Sequence, residues 1–227
     1  MKTKAFIYIV LTGILWGTSG LFVNALSPFG FSPLQMTAMR GGVAAICFFL
    51  YALIRDRSIF KISISELILF ALSGIGIFGT ASCYFASMQA SGVSTAVVLM
   101  YTAPIFVMAY SVAFLGEKLT PKKLIAVVLM LIGCVLVSGI IGGGNFNFWG
   151  IILGLMSGIS YSAYNIFTKI QMRRGCHPLS ATLYCFIFMG SLALMASSPA
   201  QMLQFTMANT IKIIPLILGI GIFTAVL

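Results

Sequence analysis

The sequence predicts an all-α polytopic membrane protein built as two inverted-topology repeats of five transmembrane helices, of which about eight helices are present. Three observations carry this. Hydrophobic residues make up 60% of the chain and charged residues only 7%, against about 25% charge in soluble domains, so too little charge exists to clothe a water-soluble exterior. Apolar runs recur along the whole length. The pentapeptide GIGIF occurs twice, at 74–78 and 219–223, an offset of 145 residues.

The apolar segments are expected at 5–26, 34–54, 66–87, 93–115, 123–141, 148–168, 179–197 and 213–227. At 1.5 Å per residue the first seven are long enough to cross a hydrocarbon core of about 30 Å. The first could be mistaken for a signal peptide, but it continues to about Leu26 without a small-x-small cleavage site, so it is read as a spanning helix. The eighth has fifteen residues and stops while still apolar.

Charge placement sets the orientation. With the N-terminus cytoplasmic, 11 of the 13 basic residues fall on the cytoplasmic side, in clusters at Lys2 and Lys4, Arg55 to Lys61, Lys118 to Lys123, and Lys169 to Arg174. The outer loops SPFGFSP, QASG and IGGGNFN and the stretch around 198–211 carry none. This is the positive-inside pattern, and it assigns the net charge of +10 to membrane topology, not nucleic acid. Asp56, Glu66 and Glu117 lie on the basic side too, where Glu117 is expected to clamp a neighbouring loop. Cys47, Cys83, Cys134, Cys176 and Cys185 have no paired spacing and are read as ordinary packing residues.

The 145-residue offset holds elsewhere. Gly13 matches Gly158, Pro33-Leu34 matches Pro178-Leu179, and Trp16 matches another aromatic, Tyr161. A first repeat over 5–141 contains five spans, an odd number, so a second repeat over 148–227, beyond the linker IIGGGNFN, enters the membrane from the opposite side. That inverted duplication is typical of secondary transporters, with a site near the midplane where the halves meet. In this register Leu227 matches Ser82, so the second repeat is expected to be truncated, with three helices present and the last incomplete.

Several segments now resemble a known family. They are GILWGTSGLF, SPLQMTAMRGGVAAICF, GTASCYFASMQA, ASGVSTAVVLMYTAPIFV and FLGEKLTPKKLIAVVLMLIGCVLV, with SGISYSAYNIFTKIQMRRGCHPLS opening the second half. Together they resemble the EamA-type transporters of the drug/metabolite transporter superfamily, from about residue 6 to the chain end. The resemblance implies ten helices in two inverted five-helix domains, cytoplasmic termini, and export or exchange of amino acids and other small metabolites. The chain departs from that pattern in lacking the last two helices and part of the eighth.

Arg40 is the most informative residue, roughly 10 Å inside the second helix. A charge at such depth marks a cavity, an ion pair or a substrate path. No acidic residue lies in the apolar part of a span; a substrate carboxylate, helix carbonyls or snorkelling to the headgroups all remain open. Trp16, Asn24, Tyr84, Tyr101, Tyr161, Tyr164 and Asn165 are candidates for a cavity lining. Tyr161, Tyr164 and Asn165 fall at i, i+3 and i+4, on one helical face. Pro104, one turn from Tyr101, frees a midspan carbonyl and permits bending. Gly13, Gly17, Gly20, Gly74, Gly76, Gly154 and Gly158 are assigned to close helix packing.

His177 is the only histidine, and no catalytic dyad or metal-ligand cluster can be assembled. The expectation is therefore no enzyme, no metal and no cofactor. The partners expected are a small-molecule solute and membrane lipid, with no nucleic acid; a homo-oligomer stays open. The reading is a multi-pass plasma-membrane transporter working by alternating access. The competing reading is a non-transporting receptor, assembly factor or structural component.

Overall fold

The structure, a computed structural model of the chain, describes residues 2–55, 57–115, 118–137 and 147–226. The linker around 140–146, Asp56, the Gly116-Glu117 turn with its expected clamp, and Leu227 lie outside the described residues. Among the described residues every regular element is a helix. In chain order these are α1 (Lys2–Gly17), α2 (Ser19–Leu26), α3 (Pro33–Arg55), α4 (Ile64–Ser91), α5 (Val93–Met100), α6 (Ala103–Leu115), α7 (Pro121–Val137), α8 (Phe148–Arg173), α9 (Pro178–Ala196), α10 (Pro199–Ala208) and α11 (Thr210–Gly221), the last running into a π-helical turn at Ile222–Val226.

Over the residues described, all eight expected apolar segments form helices. Six are long and apolar enough to cross a membrane, including Val10–Phe29 and Val93–Phe114 taken through their internal breaks. The fifth forms α7 over 17 residues, and the eighth forms a shorter apolar helix over Thr210–Ala225. The protein is thus an all-α polytopic membrane protein.

Local chemistry accounts for the boundaries. Proline opens α3, α7, α9 and α10, where its missing N–H costs no helical hydrogen bond. At the start of α4, Ser63 and Glu66 form a reciprocal capping box: the Glu66 N–H donates to Ser63 Oγ at 3.2 Å and the Ser63 N–H donates to Glu66 Oε2 at 2.8 Å. Asn147 Oδ1 accepts from the Gly150 N–H at 3.1 Å to start α8. Between α4 and α5 the reversal takes a single residue, Gly92, at φ 85° and ψ 161°, a backbone region essentially reserved for glycine.

Two expected spans are broken. The first is interrupted at Thr18, whose hydroxyl donates to Leu15 O at 2.6 Å. The fourth is interrupted at Tyr101–Thr102, just before Pro104. Proline cannot donate to the carbonyl four residues earlier, and the irregular backbone is supported by α8. Ser162 Oγ donates to Ala103 O at 3.1 Å, and a Cβ at Gly158 would lie 2.7 Å from Thr102 Oγ1. Such backbone is tolerated at membrane depth when protein covers it. The stretch around 198–211, expected as an outer loop, instead contains α10. Its Phe205 ring meets Phe31 edge-on at 5.6 Å.

The core forms where α4 packs on α8 and α9, and α3 packs on α9. Small residues set these approaches. A Cβ at Gly41 would sit 2.8 Å from both Cα and N of Gly190, so α3 and α9 touch backbone to backbone. At Gly74 a Cβ would lie 2.5 Å from Phe188 Cβ, and at Gly76 3.0 Å from Tyr164 N. A Cβ at Gly20 would lie 2.8 Å from Val93 Cγ1 and one at Gly154 2.5 Å from Leu99 Cδ1, and in the second GIGIF a Cβ on Gly219 or Gly221 would run into Phe22 or Val43. Gly13 and Gly17 differ from expectation: a Cβ at either meets nothing within 4 Å. Both are exposed, on a face of α1 that no described helix covers.

Four free cysteines are described, Cys47, Cys83, Cys176 and Cys185. Cys176, in the α8–α9 loop, packs with Phe70 and Ala181. Its burial, reinforced by the nearby Glu66 charge, pushes the thiol above its ordinary pKa.

Candidate functional site

The membrane interior contains a cavity of about 340 Å³ bounded by α1, α3, α4, α8, α9 and the terminal π-turn. Arg40 enters it from α3. Its side chain is only 4% exposed, and its Nη2 donates to the Thr224 carbonyl at 2.8 Å. Nε of the same guanidinium is buried with no hydrogen-bond partner. A guanidinium has five N–H donors and no acceptor, and leaving a buried donor unmade costs about 1–3 kcal/mol. Arg40 is the one charged residue among the described residues of the lining, so the cavity favours an acceptor, best an anionic one, beside its guanidinium.

The opposing wall is aromatic. Trp16 of α1 and Tyr161 of α8 lie with ring centroids 5.5 Å apart, and Tyr161 stacks on Tyr164 at 6.1 Å. All three line the cavity. Tyr84, buried on α4, is outside the lining but within electrostatic reach of Arg40, as are Tyr161 and Tyr164.

Other expected lining residues go elsewhere. Asn24 is exposed, because Val23 and Leu26 take the inward face of α2 and successive helical residues point about 100° apart. Tyr101 is 43% exposed at the α5–α6 break. Pro104 and Asn165 line a second cavity between α6, α7 and α8. The face expected to unite Tyr161, Tyr164 and Asn165 is accordingly divided: Tyr164 faces the first cavity, Asn165 the second, and Tyr161 touches both.

The structure adds polar groups that the sequence reading missed. Gln171, 1% exposed, donates through Nε2 to Leu69 O at 2.9 Å and to Ser73 Oγ, tying α8 to α4. Gln171, Ser73, Thr168 and Thr224 all line the cavity. The signal was present, since Tyr161, Tyr164, Thr168 and Gln171 continue one helical stripe at i, i+3, i+7 and i+10.

The cavity is asymmetric along the helix axes. From Arg40 it runs past Thr168, Gln171 and Met172 near the end of α8 and past Pro178, Ala181 and Thr182 at the start of α9, the ends that carry the basic loops. The opposite end is pinned shut. Gln35 Nε2 donates to Ser198 O at 3.3 Å, Gln89 Nε2 to Ser27 Oγ at 3.0 Å, and Ser87 Oγ to Gly150 O at 2.7 Å. Phe205 covers Gly30, the residue at φ 86° that turns the chain from α2 towards α3.

These features define a class: a polytopic helical membrane protein with a polar and aromatic cavity between its packed spans. The chain belongs to the EamA-like transporter family, which matches residues 3–139. A protein of Archaeoglobus fulgidus described as an uncharacterized transporter is 32% identical over 191 residues, 82% of this chain and 63% of that protein. A second, of the same organism and description, is 24% identical over 97% of this chain and 76% of its own length. The uncharacterized transporter YoaV of Bacillus subtilis is 26% identical over 75% of this chain and 59% of its own. The chain thus spans less than two thirds of the first and third of these relatives. A protein crystal structure shares the fold with a TM-score of 0.65 and 18% identity, over 98% of this chain and 80% of the other.

Proposed function

We propose that the protein exports or exchanges small carboxylate-bearing metabolites, amino acids among them, by alternating access at the Arg40 cavity. The observation that carries this reading is the buried Arg40, the one charged residue among the described lining of a cavity that Trp16, Tyr161 and Tyr164 also line. A charge this deep in a span costs about 2.5–3.5 kcal/mol on insertion scales, and an anionic substrate would offset part of that cost. The rings of Trp16, Tyr161 and Tyr164 supply apolar contact for the remainder of a small solute.

The same reading takes 5–141 and 148–227 as inverted repeats, with the N-terminus and basic loops cytoplasmic in the plasma membrane. Its support is the symmetry of the packing. The 145-residue shift exchanges α3 with α9 and converts the α4–α9 contact into that of α11 and its π-turn with α3, and both contacts are present. Trp16 and Tyr161, equivalent in that register, touch across the cavity. Further support is the asymmetry of the cavity, whose lining runs towards the basic loops while hydrogen bonds join the helices at the opposite end, as one state of an alternating-access cycle would require.

The test is transport by the purified protein in liposomes, with labelled amino acids and other small carboxylates, with and without a proton gradient. Uptake or exchange is expected for at least one carboxylate, abolished by Arg40→Ala and partly retained by Arg40→Lys, with both variants folded by circular dichroism. Folded protein that moves no solute, or Arg40→Ala that transports normally, refutes the reading.

A further inference from the structure

The second cavity, about 480 Å³ between α6, α7 and α8, differs in chemistry from the first. Its walls are mostly the apolar side chains of Val107, Met108 and Val112 on α6 and Ala126 and Val127 on α7, with one buried hydroxyl, Ser111. The amide of Asn165 is turned inward, its Nδ2 donating to Tyr161 O at 2.7 Å. A polar solute would give up its water here for few partners, at a cost of about 1–3 kcal/mol per unmet group. A hydrocarbon chain would lose nothing.

Among the described lining residues charge is confined to one end, where Lys123 and Lys169 join the lining. Lys123 lies in the first turn of α7, which starts at Pro121, and Lys169 lies one turn before α8 ends at Arg173. Both therefore sit at the membrane face of the basic loops. From Lys169 to Tyr161 the cavity descends roughly 12 Å, most of one leaflet of a hydrocarbon core about 30 Å thick. The cavity also borders lipid: on α7 Leu124, Ile125, Val128 and Leu129 are exposed, and of the lining residues Ala126 is exposed and Val127 half-buried.

We infer that this cavity is a site for an anionic phospholipid, with one acyl chain lying along α6 and α7 and the headgroup phosphate held by Lys123 and Lys169. Basic ends of interhelical crevices attract anionic headgroups where the leaflet is negatively charged, and the apolar walls accept a chain but offer a metabolite little. Because Tyr161 borders both cavities, the lipid contacts a residue that also lines the Arg40 cavity.

The experiment titrates the purified full chain with phosphatidylglycerol and phosphatidylcholine of identical chains, read by native mass spectrometry. Wild-type protein should hold phosphatidylglycerol about tenfold more tightly, a difference of about 1.4 kcal/mol. The double variant Lys123→Gln/Lys169→Gln should remove that preference, while Arg57→Gln/Lys61→Gln, in another basic loop, should keep it. Val107→Trp should weaken both lipids by filling the apolar part. A photo-crosslinker at Met108 gives a second readout that needs neither lysine changed, and it should label the acyl chain. Equal binding of the two lipids, an undiminished preference in the lysine variant, or no label from Met108 overturns the inference. So does displacement of the lipid by short-chain hexanoate at equal concentration, which would make this a solute site.

Discussion

Alanine at Gly41 tests how the packing of two helices holds the candidate site. A Cβ there would sit 2.8 Å from Gly190 Cα and N. Those are backbone atoms, so no rotamer change relieves the clash. Carbon–carbon contacts settle at about 3.5–4.0 Å, so α3 and α9 must separate by roughly 0.7 Å or more. Overpacking of this kind costs about 1–3 kcal/mol, which corresponds to roughly 2–12 °C in midpoint for a chain of this size. The damage does not stop at the contact. Arg40 precedes Gly41, so a shift of α3 also disturbs its 2.8 Å bond to Thr224 O. Gly42 is the internal control, since a Cβ there meets nothing within 4 Å. Thermal unfolding in detergent should place Gly41→Ala well below wild type and Gly42→Ala within experimental scatter of it. Equal midpoints for the two variants would refute the close α3–α9 approach and the position of Arg40 that depends on it.

Three further outcomes are expected. Gln171→Leu removes the tie to Leu69 and Ser73 and should cost about 0.6–1.7 kcal/mol, the usual range for a hydrogen bond between membrane helices, measured by the same unfolding assay; a loss above 3 kcal/mol would mean the side chain does more than bridge α4 and α8. Gly92→Ala forces a Cβ onto backbone at φ 85° and should destabilise by about 1–3 kcal/mol, lowering the unfolding midpoint and the yield of folded protein. Asn24→Leu should leave both stability and solute binding unchanged, because the residue is exposed on α2; a loss of binding in a calorimetric titration would return Asn24 to the cavity.

What could be read in advance divides along physical lines. The apolar segments were legible because a spanning helix must be long and apolar whatever it packs against. The break before Pro104 was half legible: the proline signals a lost hydrogen bond, but the support from Ser162 on α8 comes from a residue 59 positions away. Helix α10 went unread because its Pro199–Ala208 sequence is too short and mixed to signal a span. The Tyr161–Tyr164 stripe was found and its extension to Thr168 and Gln171 was not, although the same periodicity contains both. The lining assigned to Asn24 failed on direction: one residue of helical rotation separates a side chain in the core from one outside it.

The sequence alone determined that this chain lives in a membrane, where its apolar segments lie, which loops are basic, and that a charge sits deep in α3. Those properties reside in runs and spacings of neighbouring residues. Only the tertiary structure decided that Arg40 meets a carbonyl 184 residues away, that Gly41 rather than Gly13 or Gly17 lies at a backbone contact, and that Tyr161 stands between two separate cavities. The reason is the solvent. Lipid tails are as apolar as leucine, so hydrophobicity draws a segment into the bilayer without saying which of its faces meets lipid and which meets another helix. That choice is made by small residues, close contacts and a few polar groups, whose partners are distant in sequence.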